Sequence, residues 1–345
     1  MNTFDFNFAN ESYFAASNGY RGFTSLFDKV FNPRDFTKIF IIKGGPGTGK
    51  SSLMKKLCIY AKECGFYTEA VFCSSDPTSL DGIIIKSKDK KIAFLDGTSP
   101  HTTDCKYPGA VEELLDLGEG FKTNALEGRQ KDIITLNQRK SYFYSCAYTS
   151  LNSAGVINDK IRSVFKDLTD YNKAESIAKE ICLMSNDKLS STKKEILSSS
   201  FGKNGYTKFP FNNESELTKI SISGNGHNEY ILMNILKGRL NNRIKTLCYS
   251  PYRLTDIEAI YTENLLIYVS DNGTVNSNDI VEYSPDFTEL KKLEKHAEEV
   301  SALYFKKAAE IHFMLEDIYI NSTDFTNNDC VYEKSKNKIQ KYLGI

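Results

Sequence analysis

A glycine-rich segment in the first part of the chain combines residue types that bind phosphate. It reads GGPGTGKSS, in which Gly44, Gly49, Lys50 and Ser51 stand at the spacing G-x-x-x-x-G-K-[ST]. Glycines adopt positive φ angles and let backbone N–H groups curl around an anion, and a helix that starts beyond them adds its positive end. The segment is therefore predicted to bind the phosphates of a nucleotide.

Each residue of this segment has an expected part. Lys50 is expected to reach the β- and γ-phosphates and to support catalysis, and the Ser51 hydroxyl to ligate the Mg²⁺ that bridges them. Ser52 could contact the α-phosphate. The predicted nucleotide-binding residues are Gly44, Gly45, Pro46, Gly47, Thr48, Gly49, Lys50, Ser51 and Ser52. The expected cofactors are ATP or GTP together with Mg²⁺, since no motif in the sequence distinguishes the two bases.

A carboxylate follows a second apolar run, KIAFLD, which ends at Asp96. Ligands of open α/β sheets bind beyond the carboxyl ends of the strands, so Asp96 is predicted to meet the glycine-rich segment at one edge of a sheet. There it would hold Mg²⁺ together with Ser51 and act as a catalytic residue. The other interpretation of this carboxylate is an ordinary Asp-Gly turn after a strand.

Several acidic residues are candidates for activating water. Many P-loop ATPases have a glutamate directly after the strand-end aspartate, but here that position is Gly97. Asp76, in CSSDPTSLDG, is predicted to be catalytic by orienting the attacking water, although an Asp that caps the turn at the following proline fits the same sequence. Glu112 and Glu113 are further candidates for the base. His101, in DGTSPH, could sense phosphate or simply belong to a polar loop.

These side chains need elements that hold them at one edge of a sheet. Residues 39–42 form an apolar run typical of a buried strand, and Leu53, Met54 and Leu57 recur at helical spacing. A strand, a glycine-rich turn and a helix, in this order, are the context that the phosphate-binding motif requires. Residues 67–73 predict another strand between this helix and KIAFLD.

The later sequence repeats this organisation. LTKISISGNGHNEYILMNIL resembles FTKIFIIKGGPGTGKSSLMKKL, and TLCYSPYRLTDIEAI and LLIYVSDNGT match the segments that follow, with Cys73 on Cys248 and Asp96 on Asp271. We infer a tandem duplication, with residues 1–198 as a domain that keeps its phosphate motif and residues 199–345 as a degenerate copy.

The second copy has lost its phosphate chemistry. Lys50 corresponds to Glu229, which would repel a triphosphate, and Ser51 corresponds to Tyr230, which lacks the short hydroxyl ligand. We therefore expect the second copy to be kept for packing and not to bind Mg-nucleotide. A regulatory site for another ligand is the alternative.

Helical stretches follow both α/β parts. Residues 125–168 and 171–184 have apolar residues at helical spacing, and so do residues 287–320 and 332–343. The expected fold is α/β, a tandem duplication of P-loop NTPase-like α/β/α domains, each with an appended helical hairpin.

The composition excludes several classes of protein. The 345 residues include 44 Lys+Arg and 44 Asp+Glu, so no net field attracts the chain to nucleic acid or to an anionic membrane. No apolar stretch is long enough for a membrane span, and the eight cysteines form no CxxC pair. We expect a cytoplasmic protein with reduced thiols, no membrane partner and no nucleic-acid partner.

Four segments together resemble a known family. GGPGTGKSSLM, CSSDPTSLDG, LDGTSPH and YPGAVEE are similar to a poorly characterised family of bacterial proteins with tandem P-loop domains, provisionally described as ATPases. In that family the second half commonly carries its own GxPGTGKS loop, whereas this chain has GNGHNEYI. The resemblance implies binding of ATP or GTP and implies no second substrate.

Three functions fit the sequence. The first is hydrolysis of a nucleoside triphosphate, most simply ATP, that drives a conformational change. The second is a small-molecule or nucleotide kinase, because GGPGTGK and LDGTSPH resemble segments of adenylate kinases, although His101 replaces an arginine and no arginine-rich lid is evident. The third is a non-catalytic scaffold that binds nucleotide for stability. A second substrate or protein partner remains unknown in all three.

Overall fold

The structure, a computed structural model, describes residues 8–99, 102–186, 188–190, 193–211, 216–224 and 227–344. Its strands are β1 Glu11–Phe14, β2 Ala16–Gly19, β3 Gly22–Ser25, β4 Lys38–Lys43, β5 Tyr67–Phe72, β6 Leu80–Ser87, β7 Lys90–Asp96, β8 Glu112–Asp116, β9 Lys194–Leu197, β10 Ser199–Gly202, β11 Gly205–Lys208, β12 Thr218–Ser223, β13 Thr246–Tyr249, β14 Ile257–Tyr261, β15 Leu265–Val269 and β16 Val275–Asn276. Its α-helices are α1 Phe27–Val30, α2 Lys50–Glu63, α3 Thr123–Gly128, α4 Gln130–Asp167, α5 Tyr171–Leu183, α6 Asn228–Leu240, α7 Thr288–Asn321 and α8 Thr326–Leu343.

Twelve of the strands form one mixed sheet, in the order β16-β12-β15-β14-β13-β9-β1-β5-β6-β7-β4-β8. The central strands are apolar on both faces, and Phe40, Ile41 and Ile42 of β4 are completely buried. Such continuous apolar runs belong to strands that have helices packed on both sides. The remaining strands pair as two hairpins, β2–β3 and β10–β11. The protein is therefore a mixed α/β fold built on one large sheet.

The sheet has two halves with the same arrangement of strands. The first half runs β1-β5-β6-β7-β4-β8 and the second β9-β13-β14-β15-β12-β16. All strands of a half are parallel except β6 in the first and β14 in the second. The halves meet at β1 and β9, which are antiparallel, with Phe14 opposite Leu197. The loops that follow β4 and β12 therefore lie at opposite edges of the sheet.

The two halves exchange helices. The long helices α4 and α7 pack antiparallel, so that Asn158 contacts Glu294 and Tyr148 stacks edge-on against Phe305. Beyond this pair, α5 packs on α6 of the second half and α8 packs on α2 of the first half. Long helices lie where the apolar periodicity predicts them, but the second helix of each pair covers the other half of the sheet.

A small second core joins the hairpins to the long helices. It consists of Tyr20, Ala147, Leu151, Ala154, Phe201 and Phe305, all buried. Tyr20 and Phe201 come from the two β-hairpins, so both hairpins are anchored on the helix pair. Among the described residues, no helix has the length and apolar composition needed to cross a bilayer.

The pairing of strands corrects one match between the halves. Asp96 of β7 lies opposite Ile42 of β4, and Val269 of β15 lies opposite Ile222 of β12. Val269 is therefore the positional counterpart of Asp96, and the match of Asp96 to Asp271 is wrong. The turns between the strands differ in length, which a comparison of sequences alone does not resolve.

The match of Cys73 to Cys248 is wrong for the same reason. The backbone N–H of Cys73 donates to the carbonyl of Ser79 at 3.0 Å, and that of Ser250 donates to the carbonyl of Asp256 at 2.9 Å. Ser250 therefore occupies the position of Cys73. The second half has the same strand order, but the true counterparts lie two positions after the sequence match at Ser250 and two positions before it at Val269.

Candidate functional site

The segment between β4 and α2 is a tight loop built on glycines. Gly44, Gly47 and Gly49 have φ angles of 154°, 70° and 90°, all in the region that side chains disfavour. Gly49 is the N-cap residue of α2 and provides no side-chain hydrogen bond to the first turn. The loop thus brings backbone N–H groups and the positive end of α2 to one point beyond the end of β4.

Lys50 folds back over this loop. Its Nζ donates to the carbonyl oxygens of Gly44 at 3.1 Å and Gly45 at 2.9 Å. The same Nζ lies 3.7 Å from Oδ2 of Asp96, and the two side chains are only 11% and 18% exposed. The predicted lysine and the predicted strand-end carboxylate therefore meet in a mostly enclosed position.

The predicted magnesium ligands, Asp96 and Ser51, are both held by hydrogen bonds from neighbouring residues. Oδ1 of Asp96 accepts from the backbone N–H of Thr98 at 2.8 Å and from its hydroxyl at 2.6 Å, which leaves Oδ2 directed towards Lys50. The Ser51 hydroxyl accepts from the backbone N–H of Leu80 at 2.9 Å. Both side chains are oriented by neighbours, and each keeps an oxygen lone pair that a hard cation could use.

The remaining residues of the loop differ in exposure. Thr48 is buried and its hydroxyl donates to the carbonyl of Gly45 at 2.8 Å, which fixes the turn. Pro46 is half-buried, and Ser52 is exposed on the first turn of α2. The predicted binding residues 44–52 thus form one continuous loop and helix start.

Asp76 has partners other than the loop. Its Oδ1 accepts from the backbone N–H of Thr78 at 3.0 Å and from the Thr78 hydroxyl at 2.6 Å, and its Oδ2 pairs with Nζ of Lys203 at 2.6 Å. Burial acts to raise the pKa of Asp76, but the bonds from Lys203 and Thr78 outweigh it and hold the pKa below the ordinary value of 3.8. Asp76 is therefore ionised at neutral pH, caps its own turn and ties it to the β10–β11 hairpin.

The two glutamates considered as bases lie away from the loop. Glu112 pairs with Ile39 at the start of β4, whereas Asp116 pairs with Lys43, the residue before the loop. Glu113 forms an ion pair with Lys338. Because parallel strands align their ends, both glutamates are near the opposite edge of the sheet, and a role for either as the base is wrong on geometry. His101 lies outside the described residues.

Helices of the second half cover the glycine-rich loop. A side-chain carbon built on Gly45 would come within 2.7 Å of the Tyr319 ring, and one on Gly47 within 2.9 Å of Ile320. The Asn328 side-chain amide donates to the carbonyl of Thr48 at 3.0 Å. The end of α7 and the start of α8 therefore rest directly on the loop, and residues 316–328 are its cover.

These covering residues were not predicted from the sequence. A repeated signal marks their position: Thr169-Asp170-Tyr171 begins α5 and Thr323-Asp324-Phe325 precedes α8. Thr169 and Thr323 form equivalent bridges, to Val281 and to Phe121. The repeat identifies corresponding turns, but only the fold reveals that each turn covers the other half.

The corresponding loop of the second half has a different chemistry. Oε2 of Glu229 lies close to Gly224, where a side-chain carbon would come within 2.5 Å of it, so a carboxylate occupies the region that Lys50 occupies in the first loop. Glu229 is 4% exposed and Tyr230 is 6% exposed. Arg253 of the second half forms an ion pair with Asp159 of α4.

Among the described residues, no three His, Cys, Asp or Glu side chains converge as a metal site. The chain matches no protein-family model, no curated protein and no solved structure. Its function therefore has to be inferred from the geometry around Lys50 and Asp96.

Proposed function

We propose that the loop 44–52 binds a nucleoside triphosphate with Mg²⁺, most simply ATP, and that the protein hydrolyses it. The observation that carries this proposal is the meeting of Lys50 and Asp96, 3.7 Å apart, at the start of a helix that has no side-chain cap. A cation, a carboxylate and an uncapped helix N-terminus at one sheet edge are what a metal-bound triphosphate requires.

The residues present fit the nucleotide and its metal ion. Lys50 would exchange the carbonyls of Gly44 and Gly45 for the β- and γ-phosphates, since a protonated amine gains more from a charged oxygen than from a neutral one. Ser51 and Asp96 would hold Mg²⁺, which supplies positive charge where negative charge develops during phosphoryl transfer. Thr98 keeps Asp96 oriented for this role.

The cover connects the site to the rest of the molecule. Tyr319 and Ile320 pack against Gly45 and Gly47, and Asn328 holds Thr48. A triphosphate entering the loop requires the end of α7 and the start of α8 to shift. Because α7 packs along α4, such a shift would be passed to the second half, which is the conformational change that hydrolysis would drive.

The common strand order supports two further parts of the proposal. We infer that the halves arose by tandem duplication of a P-loop NTPase-like unit and that the chain is a degenerate member of the tandem P-loop family it resembles. A kinase and a scaffold are alternative outcomes of the test, since Asp76, the residue predicted to orient water, is bound by Lys203.

The test measures binding and turnover in the full chain. Purified protein is titrated with ATP and GTP, with and without Mg²⁺, and phosphate release is followed for wild type, Lys50→Ala and a control, Lys55→Ala, which alters an exposed lysine of the same helix. We expect Mg²⁺-dependent binding, and a loss of turnover of about 10²–10³-fold in Lys50→Ala alone.

Each other outcome has a defined meaning. Absence of nucleotide binding to wild type would refute the proposal altogether. Binding without phosphate release would favour the scaffold, and transfer of labelled phosphate to an added acceptor faster than to water would favour the kinase. Equal turnover in wild type and Lys50→Ala would exclude the loop as the site.

A further inference from the structure

A cavity of about 670 Å³ lies beside the second loop, between α4 and α6. It occupies the place that corresponds to the covered face of the first loop, because α4 and α5 cover the second half as α7 and α8 cover the first. Its lining includes Arg162, Lys166, Tyr171, His227, Ile231 and Arg253. The cavity is large enough for a small organic molecule.

The charged side chains around this cavity are mostly basic. Arg162, Lys166 and Arg253 line it, against one carboxylate, Asp159. Arg162 makes a two-pronged bond to Asp256, with N–O distances of 2.5 and 2.8 Å, which fixes its guanidinium at the wall. Because Asp256 balances Arg162 and Asp159 balances Arg253, the excess positive charge of the lining is that of Lys166, in a place where the loop itself has no cation.

His227 gives an independent sign of a ligand. It is 3% exposed, and its Nδ1 has no hydrogen-bond partner among the described residues. A buried ring nitrogen without a partner is costly, and the cost is relieved when a ligand supplies the missing bond. Phe165 stacks on the ring at 5.7 Å and holds it in place.

The position of His227 suits an anion. It is the N-cap residue of the 13-residue helix α6, and its side chain makes no cap hydrogen bond. Burial, and then the charges of Arg162 and Lys291, lower its pKa to about 3, so the imidazole is neutral and one ring nitrogen is free to donate. The positive charges of Arg162 and Lys291, which add to the effect of burial, also favour a bound anion.

The rest of the lining is less polar. Ile231, Ile235 and Asn234 come from one face of α6, and Tyr171, which is 45% exposed, stands at the side of the cavity. An apolar wall, an amide and an aromatic ring suit the uncharged body of a ligand. Glu229 is not part of this lining and lies instead against Gly224.

The geometry points to a second ligand site in this cavity, for a small organic phosphate that binds without a metal ion. Its phosphate would lie at His227 and the start of α6, within reach of Lys166 and Arg253, and its body against Ile231 and Tyr171. We expect no metal ion at this site, because Tyr230 and Val269 stand in place of the serine and aspartate that would hold one at the first loop. Glu229 stands in place of the lysine. This inference is independent of nucleotide hydrolysis at the first loop.

The test uses the full chain carrying Lys50→Ala, in EDTA, so that the first loop and its metal ion do not contribute. Adenosine monophosphate, inorganic phosphate and adenosine are titrated by calorimetry. We expect adenosine monophosphate to bind, inorganic phosphate to bind more weakly and to compete, and adenosine not to bind. Binding of adenosine as tight as that of its monophosphate would overturn the site, and so would no binding of either phosphate.

Charge reversal locates the binding. Lys166→Glu alters an exposed residue of the lining and should weaken adenosine monophosphate at least about tenfold, whereas Lys160→Glu, on the same helix but outside the lining, should not. His227→Asn should weaken binding of phosphate while keeping a residue that caps helices well. Equal weakening by Lys160→Glu and Lys166→Glu would overturn the site, because it would reduce the effect to net charge.

Discussion

The two loops of the molecule occupy equivalent places and have opposite chemistry. Each follows a buried strand and leads into a helix whose inner face is apolar, with Leu53 and Met54 buried in α2 and Leu232 and Met233 buried in α6. Yet the first loop encloses a lysine and the second a glutamate, Glu229. The same frame of strand, turn and helix is thus present with either side chain, so the two loops differ in a few side chains added to a common frame.

The covers of the two loops also differ in charge, and in the opposite direction to the loops themselves. The first cover presents Tyr319, Ile320 and Asn328, none of them charged, to a loop that has its own cation. The second presents Arg162 and Lys166 to a loop that has none. Positive charge is therefore present at both places, but the loop supplies it in the first half and the exchanged helix in the second.

The largest effect is expected where Asp96 beside the first loop is replaced by its counterpart in the second half. Asp96→Val introduces the residue type that β15 has at this position, Val269. It removes the carboxylate beside Lys50, which is also the predicted metal ligand. We expect Mg²⁺-dependent phosphate release to fall at least about 10²-fold, the size of effect that follows loss of one preorganised charge group. Steady-state phosphate release with varied Mg²⁺ measures it.

Asp96→Asn is the matched variant, because it keeps the shape of the side chain and the bonds from Thr98. It should lose most of the activity through loss of charge and remain as stable as wild type. Full activity in Asp96→Asn would mean that the carboxylate has only the structural role of an Asp-Gly turn. The difference between Asp96 and Val269 would then not explain a difference in activity between the two halves.

A smaller effect is expected at the cover of the first loop. Asn328→Ala removes the hydrogen bond to the carbonyl of Thr48, which is worth about 1 kcal/mol, or about fivefold in an equilibrium. If the cover must shift to admit nucleotide, the variant should bind MgATP up to about fivefold more tightly. Titration with a fluorescent ATP analogue measures the change.

Asn337→Ala is the control, since this exposed asparagine belongs to the same helix but lies about two and a half turns away. It should leave affinity unchanged. Weaker binding in Asn328→Ala would contradict the proposal, because it would mean that Asn328 assists the bound nucleotide and does not hold the loop closed.

The arrangement of the first loop was predictable because it is local. Lys50 and the glycines are neighbours along the chain, and an apolar run that ends in Asp96 is readable as a strand that delivers a carboxylate. Asp76 fits the same pattern in sequence, yet the structure gives it Thr78 and Lys203 as partners. No residue near Asp76 in the sequence predicts its contact with Lys203, which is distant in the chain and lies on a hairpin of the other half.

The covers were not predictable because they depend on exchange between the halves. Asn328 meets Thr48 across 280 positions of the chain, and no periodicity within either segment encodes that contact. The sequence match between the halves also placed Asp96 on Asp271 and not on Val269, because turns of different length shift a strand without changing its apolar pattern. Strand order and helix exchange are properties of the whole fold, whereas the phosphate motif is a property of nine consecutive residues.

The smallest effect is expected where the hairpins of the two halves differ. The β2–β3 turn carries Tyr20, whose Oη lies 2.7 Å from Oε1 of Glu294 and 2.5 Å from Oε1 of Glu298. The β10–β11 turn carries Lys203, which binds a single carboxylate. The Tyr20 hydroxyl has one proton and can donate to only one carboxylate. When both bonds are made, the other glutamate must be protonated and donate to the hydroxyl oxygen.

The proton is best assigned to Glu298. Burial raises its pKa from 4.5 to about 7, and the charge of Glu294 adds to the rise while the bond from Tyr20 opposes it. The unfolded chain loses this proton near pH 4.5 and the folded chain only near 7, so the free energy of unfolding decreases between these values and is lowest above 7. The first hairpin, unlike the second, therefore makes a contact that weakens at neutral pH.

Glu298→Gln should remove this dependence, because the amide keeps an acceptor for Tyr20 and has no charge. The shift sets an upper bound of about 3 kcal/mol, but partial exposure and the coupling to Glu294 reduce the expected gain to about 1 kcal/mol, or about 2 °C in melting temperature. Melting curves at pH 5 and pH 8 should show the variant equal to wild type at the lower pH and more stable at the higher. Glu299→Gln, at an exposed position next in the chain, should show no such difference; if it does, the gain comes from net charge, and the two hairpins do not differ in the way their turns suggest.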